Sequence, residues 1–280
     1  YIIKDEYHIG YGKDRWNDMV TALNPNLVLG FSATPYDDKG VKFPDHQYID
    51  GPSIKQLTHD GHLAPMRTYI CKYAQSIDLS EVGKNSVDYS ATDLEVINTS
   101  NYNQAVVASW LDLPRQHEKM KTIVFVASIE HAEAMAAAFR SNDISCMAVH
   151  SKQNPYDRDT YMHMFDDGVI EVLVGVSSLH TGYDAPDIEC VINARPTKRR
   201  GLFTQMTGRG LRPHPSLAYA IHLDCAKATE THGFYDDEFV PFDTDEAAKS
   251  YRKEYGELKH PEVDYYLGDF NDHTIPATST

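Results

Sequence analysis

The stretch TIVFVASIEHAEAMAAAFRSN, residues 122–142, decides the fold because it reads as a buried strand followed by an amphipathic helix. Its first six residues are β-branched or apolar, a run too short for a helix of ordinary length. In the part that follows, Ala132, Met135, Ala136 and Phe139 recur at i, i+3, i+4 and i+7, which places them on one helical face. A strand that leads into a helix in this way is half of a βαβ unit and predicts a parallel sheet.

The same alternation continues along the chain on both sides of this stretch. Further short strands are predicted at 146–150, 170–176, 190–193 and 218–224. The segment NPYDRDTYMHMFDDG predicts a helix with Asn154 as N-cap, Pro155 as its first residue and Gly168 as its stop. The segment RGLFTQMTGRG predicts another helix. The fold class is therefore α/β, a parallel sheet with helices on both faces, and ligands are expected beyond the carboxyl ends of its strands.

Composition places the chain among ordinary soluble proteins. Of 280 residues, 41% are hydrophobic and 24% are charged. The four cysteines are scattered without a CxxC pair, which argues against a disulfide framework or a zinc site and favours a reducing, cytoplasmic location. No apolar run approaches the roughly 18 residues of a membrane span, so no membrane partner is expected.

The charge is unevenly distributed. The net charge of -15 argues against a broad nucleic-acid-binding face, because phosphate binding depends on lysine and arginine. From Arg195 to Arg212, however, there are six cations and no acid. A basic island in an acidic chain favours one local anion site.

Two short segments near the start carry polar residues directly after predicted strands. Asp5 and Glu6 follow YIIK, and the turn SATP, which contains Ser32 and Thr34, follows NLVLGF. Two carboxylates at the end of a strand suit a magnesium ion and an attacking water. Acids also end strands without any such role, so this pair alone is weak evidence.

The second half of the chain contains two further candidate segments. A loop after the strand at 170–176 contains Gly182, which permits close backbone approach, and Asp184, whose short carboxylate suits a ribose hydroxyl. In QMTGRGLR, Arg209 and Arg212 are three residues apart, so on a helix they would share a face and point at one anion. A surface helix with solvated arginines is the alternative interpretation.

Taken in order, DEYH, SATP, TIVFVAS, TGYD and QMTGRGLR resemble motifs II to VI of superfamily 2 helicases and translocases. The resemblance is strongest to the DExH branch, which includes restriction-enzyme motor subunits and DNA repair helicases. It implies a remnant of a first RecA-like domain at 1–60 and a second RecA-like domain at 61–233. The acidic segment 234–280 would be a C-terminal appendage outside the resemblance.

The resemblance implies an ATP site shared by two domains, with Mg²⁺ as the second cofactor. Asp5 would hold Mg²⁺ through water, and Glu6 would be the general base for the attacking water. Arg209 and Arg212 would reach the γ-phosphate from the second domain.

Other roles follow from the same resemblance. His8 and Gln205 would lie at the nucleotide and couple the two domains, while Ser32 and Thr34 would link hydrolysis to domain movement. Gly182 and Asp184 would contact the nucleotide. The nucleic-acid backbone, with DNA favoured over RNA, would lie near Ser128, Ser177, Ser178 and Thr181.

The chain departs from the family pattern in one decisive respect. No G-x-x-x-x-G-K-[ST] sequence occurs in these 280 residues, so the phosphate-binding loop and its lysine are absent from them. We therefore expect the chain alone to be inactive as an ATPase and to need the missing N-terminal RecA-like domain as its partner.

Two alternatives remain at the level of sequence. A non-catalytic nucleic-acid or protein interaction module that retains the helicase fold suits the missing loop, but the retained acids and arginines speak against it. An unrelated doubly wound enzyme, such as a glycosyltransferase, leaves the SATP turn and the paired arginines unexplained.

Overall fold

The computed structural model describes residues 1–8, 11, 13–44, 46–71, 88–90, 92–176, 185, 187–237, 239, 241–244 and 246–248. The strands in these residues are β1 (Ile2–Lys4), β2 (Val28–Gly30), β3 (Met66–Ile70), β4 (Thr122–Phe125), β5 (Cys146–Val149), β6 (Val172–Gly175), β7 (Cys190–Asn193) and β8 (Ala220–Asp224). The α-helices are α1 (Asp14–Leu23), α2 (Ile54–His59), α3 (Ser100–Leu111), α4 (Ile129–Arg140), α5 (Pro155–Asp166), α6 (Arg200–Thr207) and α7 (Ala228–His232). Short 3₁₀ helices in the described residues span Asp93–Ile97 and Gly208–Gly210.

Six strands form one parallel sheet in the order β3-β8-β7-β4-β6-β5. Strand β4 lies inside the sheet between β6 and β7, and all four of its residues are fully buried. A strand covered on both faces needs apolar residues at successive positions, which explains the continuous run that predicted it. The predicted parallel α/β sheet is confirmed.

Helices cover both faces of this sheet. On one face, Trp110 of α3 and Phe139 of α4 pack edge to face, with ring centroids 5.3 Å apart, over the central strands. On the other face, Phe165 of α5 and Met206 of α6 belong to a second buried cluster. The two clusters give the three-layer arrangement that the alternation of strands and helices predicted.

The predicted boundaries of α5 are confirmed in detail. Asn154 accepts a hydrogen bond from the backbone N–H of Tyr156 at 3.0 Å, and Pro155 is the first helical residue. Gly168 follows the helix with a φ of +69°, a left-handed conformation that glycine adopts without strain. Asn154, Pro155 and Gly168 therefore act locally, and the two ends of α5 can be predicted from the sequence.

A small N-terminal unit, consisting of β1, α1, β2 and the turn through Thr34, precedes the six-stranded sheet. Its two strands are parallel, with Lys4 opposite Gly30, so both strands end at the same edge of this small sheet. Beyond the strands, the backbone N–H of Tyr7 donates to the carbonyl of Phe31 at 2.9 Å. The register thus brings the residues after β1 next to the SATP turn.

The described residues of the segment 234–243, which we name the C-terminal strap, contact both the hairpin after the N-terminal unit and the large sheet. The Tyr235 hydroxyl accepts from the backbone N–H of Met66 at 3.2 Å, at the start of β3. Further along, the N–H of Phe242 donates to the carbonyl of Gly40, and the N–H of Lys42 donates to the carbonyl of Phe242, each at 2.8 Å. The strap therefore pairs with the hairpin that follows the SATP turn.

No helix among the described residues combines the length and apolar character that crossing a membrane requires.

Candidate active site

Two carboxylates follow β1 at the carboxyl edge of the N-terminal unit. The backbone N–H of Glu6 donates to Asp5 Oδ1 at 2.9 Å, and Glu6 has a φ of +48°, which is uncommon outside glycine. Glu6 Oε2 lies 3.4 Å from His8 Nδ1. The tight turn therefore gathers two acids and a histidine at the end of one strand.

His8 connects the N-terminal unit to helix α6. Its Nδ1 lies 2.7 Å from Ser32 Oγ, and the amide Nε2 of Gln205 donates to its Nε2 at 2.7 Å. Because Nε2 accepts this bond, Nδ1 carries the ring proton. Burial, the largest influence, lowers the pKa of His8, although the Glu6 carboxylate opposes that shift. The neutral ring is the form that can accept from Gln205.

The SATP turn packs directly on α6. Ser32 Oγ accepts from the backbone N–H of Thr34 at 3.0 Å, and the Thr34 side chain is buried against Gly201. A Cβ at Gly201 would lie 3.5 Å from Thr34 Cβ, which is ordinary contact distance. Nearby, burial raises the pKa of Tyr36 to about 12, while a hydrogen bond from Thr204 acts in the opposite direction. One side of α6 therefore faces the residues that follow β2.

The two candidate arginines follow α6, but they do not share a helical face. Helix α6 ends at Thr207, and the short 3₁₀ helix Gly208–Gly210 contains Arg209 and ends before Arg212. The prediction that both project from one continuous helix was wrong. Both side chains are partly exposed.

The turn after α6 packs closely against the sheet. A Cβ at Gly210 would lie 2.8 Å from Met66 Cε and 3.1 Å from Val191 Cγ2. The end of the Met66 side chain and the Val191 methyl would both have to shift to admit it, so glycine suits this close approach. This contact sets the position from which Arg209 and Arg212 extend.

Several cations of the basic island have acceptors within the chain. Arg195 pairs with Asp88 at 3.1 Å, and Arg199 pairs with Asp38. The buried guanidinium of Arg200 donates to the backbone carbonyls of His232, Phe234 and Asp237. The expectation of one local anion site in the island stays a prediction.

The remaining predicted residues divide into two groups. Ser128 is the N-cap of α4, and its hydroxyl accepts from the backbone N–H of His131 at 3.1 Å. The residues predicted in the loop after β6 lie outside the part of the chain that the structure describes: Ser177, Ser178, Thr181, Gly182 and Asp184.

The residues after β1 fit a magnesium ion held mainly by other ligands. Among the described residues, no cluster of three or more His, Cys, Asp or Glu side chains is arranged to hold a metal. Mg²⁺ typically takes one or two carboxylates and completes its shell with water and phosphate oxygens. Asp5, which is exposed at the strand end, meets that requirement.

Sequence reasoning missed several residues that shape this region. Asp38, Asp88 and Tyr36 each contact the segment 195–204 from a distant part of the chain. Asp38 belongs to YDD, directly after SATP, and its proximity to a motif was an available signal. Nothing local marked Asp88.

The six-stranded parallel sheet with helices on both faces is RecA-like, and its helix α6 contacts the N-terminal unit through the bond between Gln205 and His8. Residues 101–214 match the family described as the helicase conserved C-terminal domain. The resemblance drawn from the motifs is thus confirmed.

Known proteins with this similarity include helicases and a restriction-enzyme subunit. IRC3 of Saccharomyces cerevisiae, which bears the name of an ATP-dependent helicase, is 29% identical over 207 residues, 73% of this chain and 30% of IRC3. A 51.5 kDa protein of a Lactococcus phage is 30% identical over 238 residues, 84% of this chain and 51% of the phage protein. Shorter matches bear the names of ATP-dependent RNA helicases.

Among solved structures, an HsdR fragment of a type I restriction enzyme from Vibrio vulnificus has a TM-score of 0.60 at 22% identity. The match covers 82% of this chain and 45% of that one, and it confirms the RecA-like fold. The chain spans between 30% and 51% of the length of the two curated relatives named above.

Proposed function

We propose that the chain is part of an ATP-dependent nucleic-acid helicase or translocase of superfamily 2, in the DExH branch. The observation that carries this proposal is the position of His8, which bonds to Ser32 in its own unit and to Gln205 of α6. Because His8 bonds to both, its bond with Gln205 can form only while the N-terminal unit and α6 are in contact. Such a contact is what a motor needs if nucleotide chemistry is to be coupled to domain movement.

In this proposal the ATP phosphates bind between the acids after β1 and the segment after α6. Asp5 holds Mg²⁺ through water, and Glu6 accepts a proton from the attacking water. A bound Mg²⁺ would neutralise charge on the phosphate oxygens. Gln205 precedes Arg209 by only four residues, across the end of α6. The contact of Gln205 with His8 therefore supports a position for Arg209 near the phosphates.

Arg209 and Arg212 stabilise the negative charge that develops on the transferring phosphoryl group. Gly182 and Asp184 contact the nucleotide, and Ser32 and Thr34 transmit the state of the site to α6. The burial of Thr34 against Gly201 supports this last role, because a shift of the turn must displace either the helix or the threonine.

The nucleic-acid backbone follows the carboxyl edge of the large sheet, near Ser128, Ser177, Ser178 and Thr181. The backbone N–H groups at the start of α4 supply partial positive charge there, so few cations are needed. We propose DNA rather than RNA as the substrate. The resemblance of the motifs to restriction-enzyme motor subunits and DNA repair helicases supports DNA, while the matches to RNA helicases make RNA the outcome to test against.

The chain alone is proposed to be inactive as an ATPase. A phosphate-binding loop supplies the main contacts to the β- and γ-phosphates, and no such sequence occurs in these 280 residues. ATP hydrolysis by the purified 280-residue chain at the rate of an intact helicase would contradict this proposal.

The decisive experiment measures ATP hydrolysis by the full-length parent protein with single-stranded DNA, duplex DNA and RNA supplied separately. Arg209→Ala is expected to reduce nucleic-acid-stimulated hydrolysis by about 10³-fold or more, the range for a phosphate-directed arginine. Arg158→Ala, on α5 and away from α6, is the matched control and should retain full activity. Unchanged hydrolysis in Arg209→Ala would remove this arginine from the site.

A further inference from the structure

The Asp88 carboxylate lies in a set of converging hydrogen-bond donors. Arg195 Nη2 donates to Oδ2 at 3.1 Å, and the backbone N–H of Lys198 donates to Oδ1 at 2.9 Å. The Thr197 hydroxyl lies 3.1 Å from both oxygens. Only 12% of the Asp88 side chain and 15% of the Arg195 side chain are exposed. A guanidinium, a hydroxyl and a backbone amide are also the groups that proteins use to bind phosphate oxygens.

This set of donors has more capacity than one carboxylate uses. The Nε atoms of Arg195 and Arg199 are buried and have no acceptor among the described residues. Burial is the main influence that lowers the pKa of Arg195; the Asp88 carboxylate opposes that shift, and the neighbouring charge of Arg199 acts in the same direction as burial. An anion with more acceptor oxygens than an aspartate supplies would suit the donors that Asp88 leaves unpaired.

The position of Asp88 connects it to the predicted nucleic-acid surface. The backbone N–H of Ala194 donates to the carbonyl of Phe125 at 2.9 Å, so β7 and β4 lead out of the sheet side by side. After β4 the chain reaches Ser128, the N-cap of α4. The segment 88–97 packs on Ala127 through buried Leu94 and Ile97.

The same segment contains two further acids that lie outside this set of donors. Glu95 is exposed, and Asp93 accepts a hydrogen bond within its own turn. A phosphate that used the donors from Arg195 and Lys198 would compete with Asp88 for them. For a phosphate to bind here, Asp88 must move aside.

We propose that Arg195, Thr197 and the backbone amide of Lys198 form a phosphate cradle, that Asp88 fills it, and that a nucleic-acid phosphate displaces Asp88. The nucleic acid in this inference rests on the proposed function, whereas the cradle itself does not. Displacement exchanges one anion for another, so the donors remain satisfied throughout. Asp88 thereby makes binding at this edge conditional on withdrawal of its own segment.

The first test compares Asp88→Asn with Glu95→Gln, which removes the same charge from the same segment without touching the cradle. Binding of a fluorescent single-stranded DNA oligonucleotide to the full 280-residue chain is measured by anisotropy at several low salt concentrations. Asp88→Asn is expected to bind about tenfold more tightly, and its log–log salt dependence should steepen by about 0.7 for the added phosphate contact. Glu95→Gln should change affinity less than about twofold and leave the slope as in the wild type. Equal affinities for Asp88→Asn and the wild type would overturn the proposal.

Thr197→Val provides the complementary test. In the Asp88→Asn background, Thr197→Val should abolish the gain in oligonucleotide affinity, because the hydroxyl that would bind the phosphate is gone. In the wild-type chain it should weaken DNA binding, which keeps the test valid if Asp88→Asn lowers the stability of the fold. A gain for ATP but none for the oligonucleotide would overturn the assignment to nucleic acid.

Inorganic phosphate separates failure of the cradle from failure of the proposed function. Added phosphate should raise the melting temperature of Asp88→Asn and have no such effect on Asp88→Asn/Thr197→Val. If phosphate raises the melting temperature of Asp88→Asn alone while neither variant binds DNA or RNA, the phosphate cradle is supported and the helicase assignment fails. If DNA binds every variant alike and phosphate stabilises none, the cradle is refuted and the proposed function is untouched.

Discussion

Gln205 of α6 donates a 2.7 Å hydrogen bond to His8, a residue 197 positions earlier in the chain. The bond joins the N-terminal unit to the helix that precedes Arg209. It is partly buried, so replacing one partner leaves the other without its bond in a site that water reaches poorly.

The two residues should therefore be energetically coupled. We expect His8→Ala and Gln205→Ala to show a coupling of about 0.5–1.5 kcal/mol in the free energy of unfolding, measured with urea in a double-mutant cycle. The pair His8→Ala and Arg158→Ala, whose positions share no contact, should be additive. Additivity in the first pair as well would mean that the bond does not stabilise the native chain.

The fit between the hairpin and the C-terminal strap predicts an unusual cost for one glycine substitution. Gly40 has a φ of +81°, and a Cβ there would lie 2.8 Å from Phe239 Cζ. Gly61 has nearly the same φ, +76°, but no atom within 4 Å. Gly40→Ala should thus destabilise the chain by about 1–3 kcal/mol more than Gly61→Ala, since only Gly40 adds a collision to the backbone strain.

Phe239→Ala is the control for that collision. In a chain that already contains Phe239→Ala, Gly40→Ala should lower the free energy of unfolding about as much as Gly61→Ala does. Urea unfolding measures all three changes. If Gly40→Ala and Gly61→Ala lower the free energy of unfolding equally while Phe239 is present, the strap does not restrict the space at Gly40.

Two buried histidines predict how stability depends on pH. Burial lowers the pKa of His131 to about 4, and burial, followed by the Arg200 charge, lowers that of His232 to about 3. An unfolded histidine titrates near pH 6.5. Between about pH 6.5 and pH 4 the unfolded chain therefore binds protons that the native chain does not, and stability falls as the pH falls.

Each histidine contributes at most about 1.4 kcal/mol per pH unit to this slope. Urea unfolding of His131→Gln from pH 7 to pH 4.5 should show a flatter dependence than the wild type. His163→Gln, at an exposed position on α5, should leave the dependence unchanged. A slope in His131→Gln as steep as that of the wild type would contradict the assignment.

Ser128 allows a helix cap to be distinguished from a nucleic-acid contact. Asp and Asn both cap helices well, so Ser128→Asp and Ser128→Asn should change stability by less than about 0.5 kcal/mol. Only Ser128→Asp adds a negative charge, and it should weaken oligonucleotide binding about tenfold if the backbone passes the start of α4. Equal binding by the two variants would confine Ser128 to its role as a cap.

The sequence predicted features that local chemistry encodes. Buried strands such as β4 appear as continuous apolar runs because both of their faces are covered. The ends of α5 follow from Asn154, Pro155 and Gly168, each of which acts within a few residues. The encounter of His8 with Gln205 came from family resemblance, and the geometry agrees with it.

Other features depend on distant contacts that no local pattern reports. Asp88 and Arg195 are 107 positions apart, and Asp38 and Arg199 are 161 positions apart. Spacing of three suggested that Arg209 and Arg212 share a helix face, but the fit of Gly210 against Met66 and Val191 accompanies an early end of the helix. Periodicity alone does not predict where α6 ends.

The bonds of Arg200 bear on where the folded unit ends. This guanidinium is 8% exposed and donates to carbonyls of His232, Phe234 and Asp237, two of which follow α7. A chain shortened at Gly233 would keep the buried charge and lose those two acceptors, a change that typically destabilises by several kcal/mol. If this domain is expressed by itself, its C-terminal boundary belongs beyond the strap. The residues after α7 supply acceptors for a buried charge and are therefore part of the domain interior.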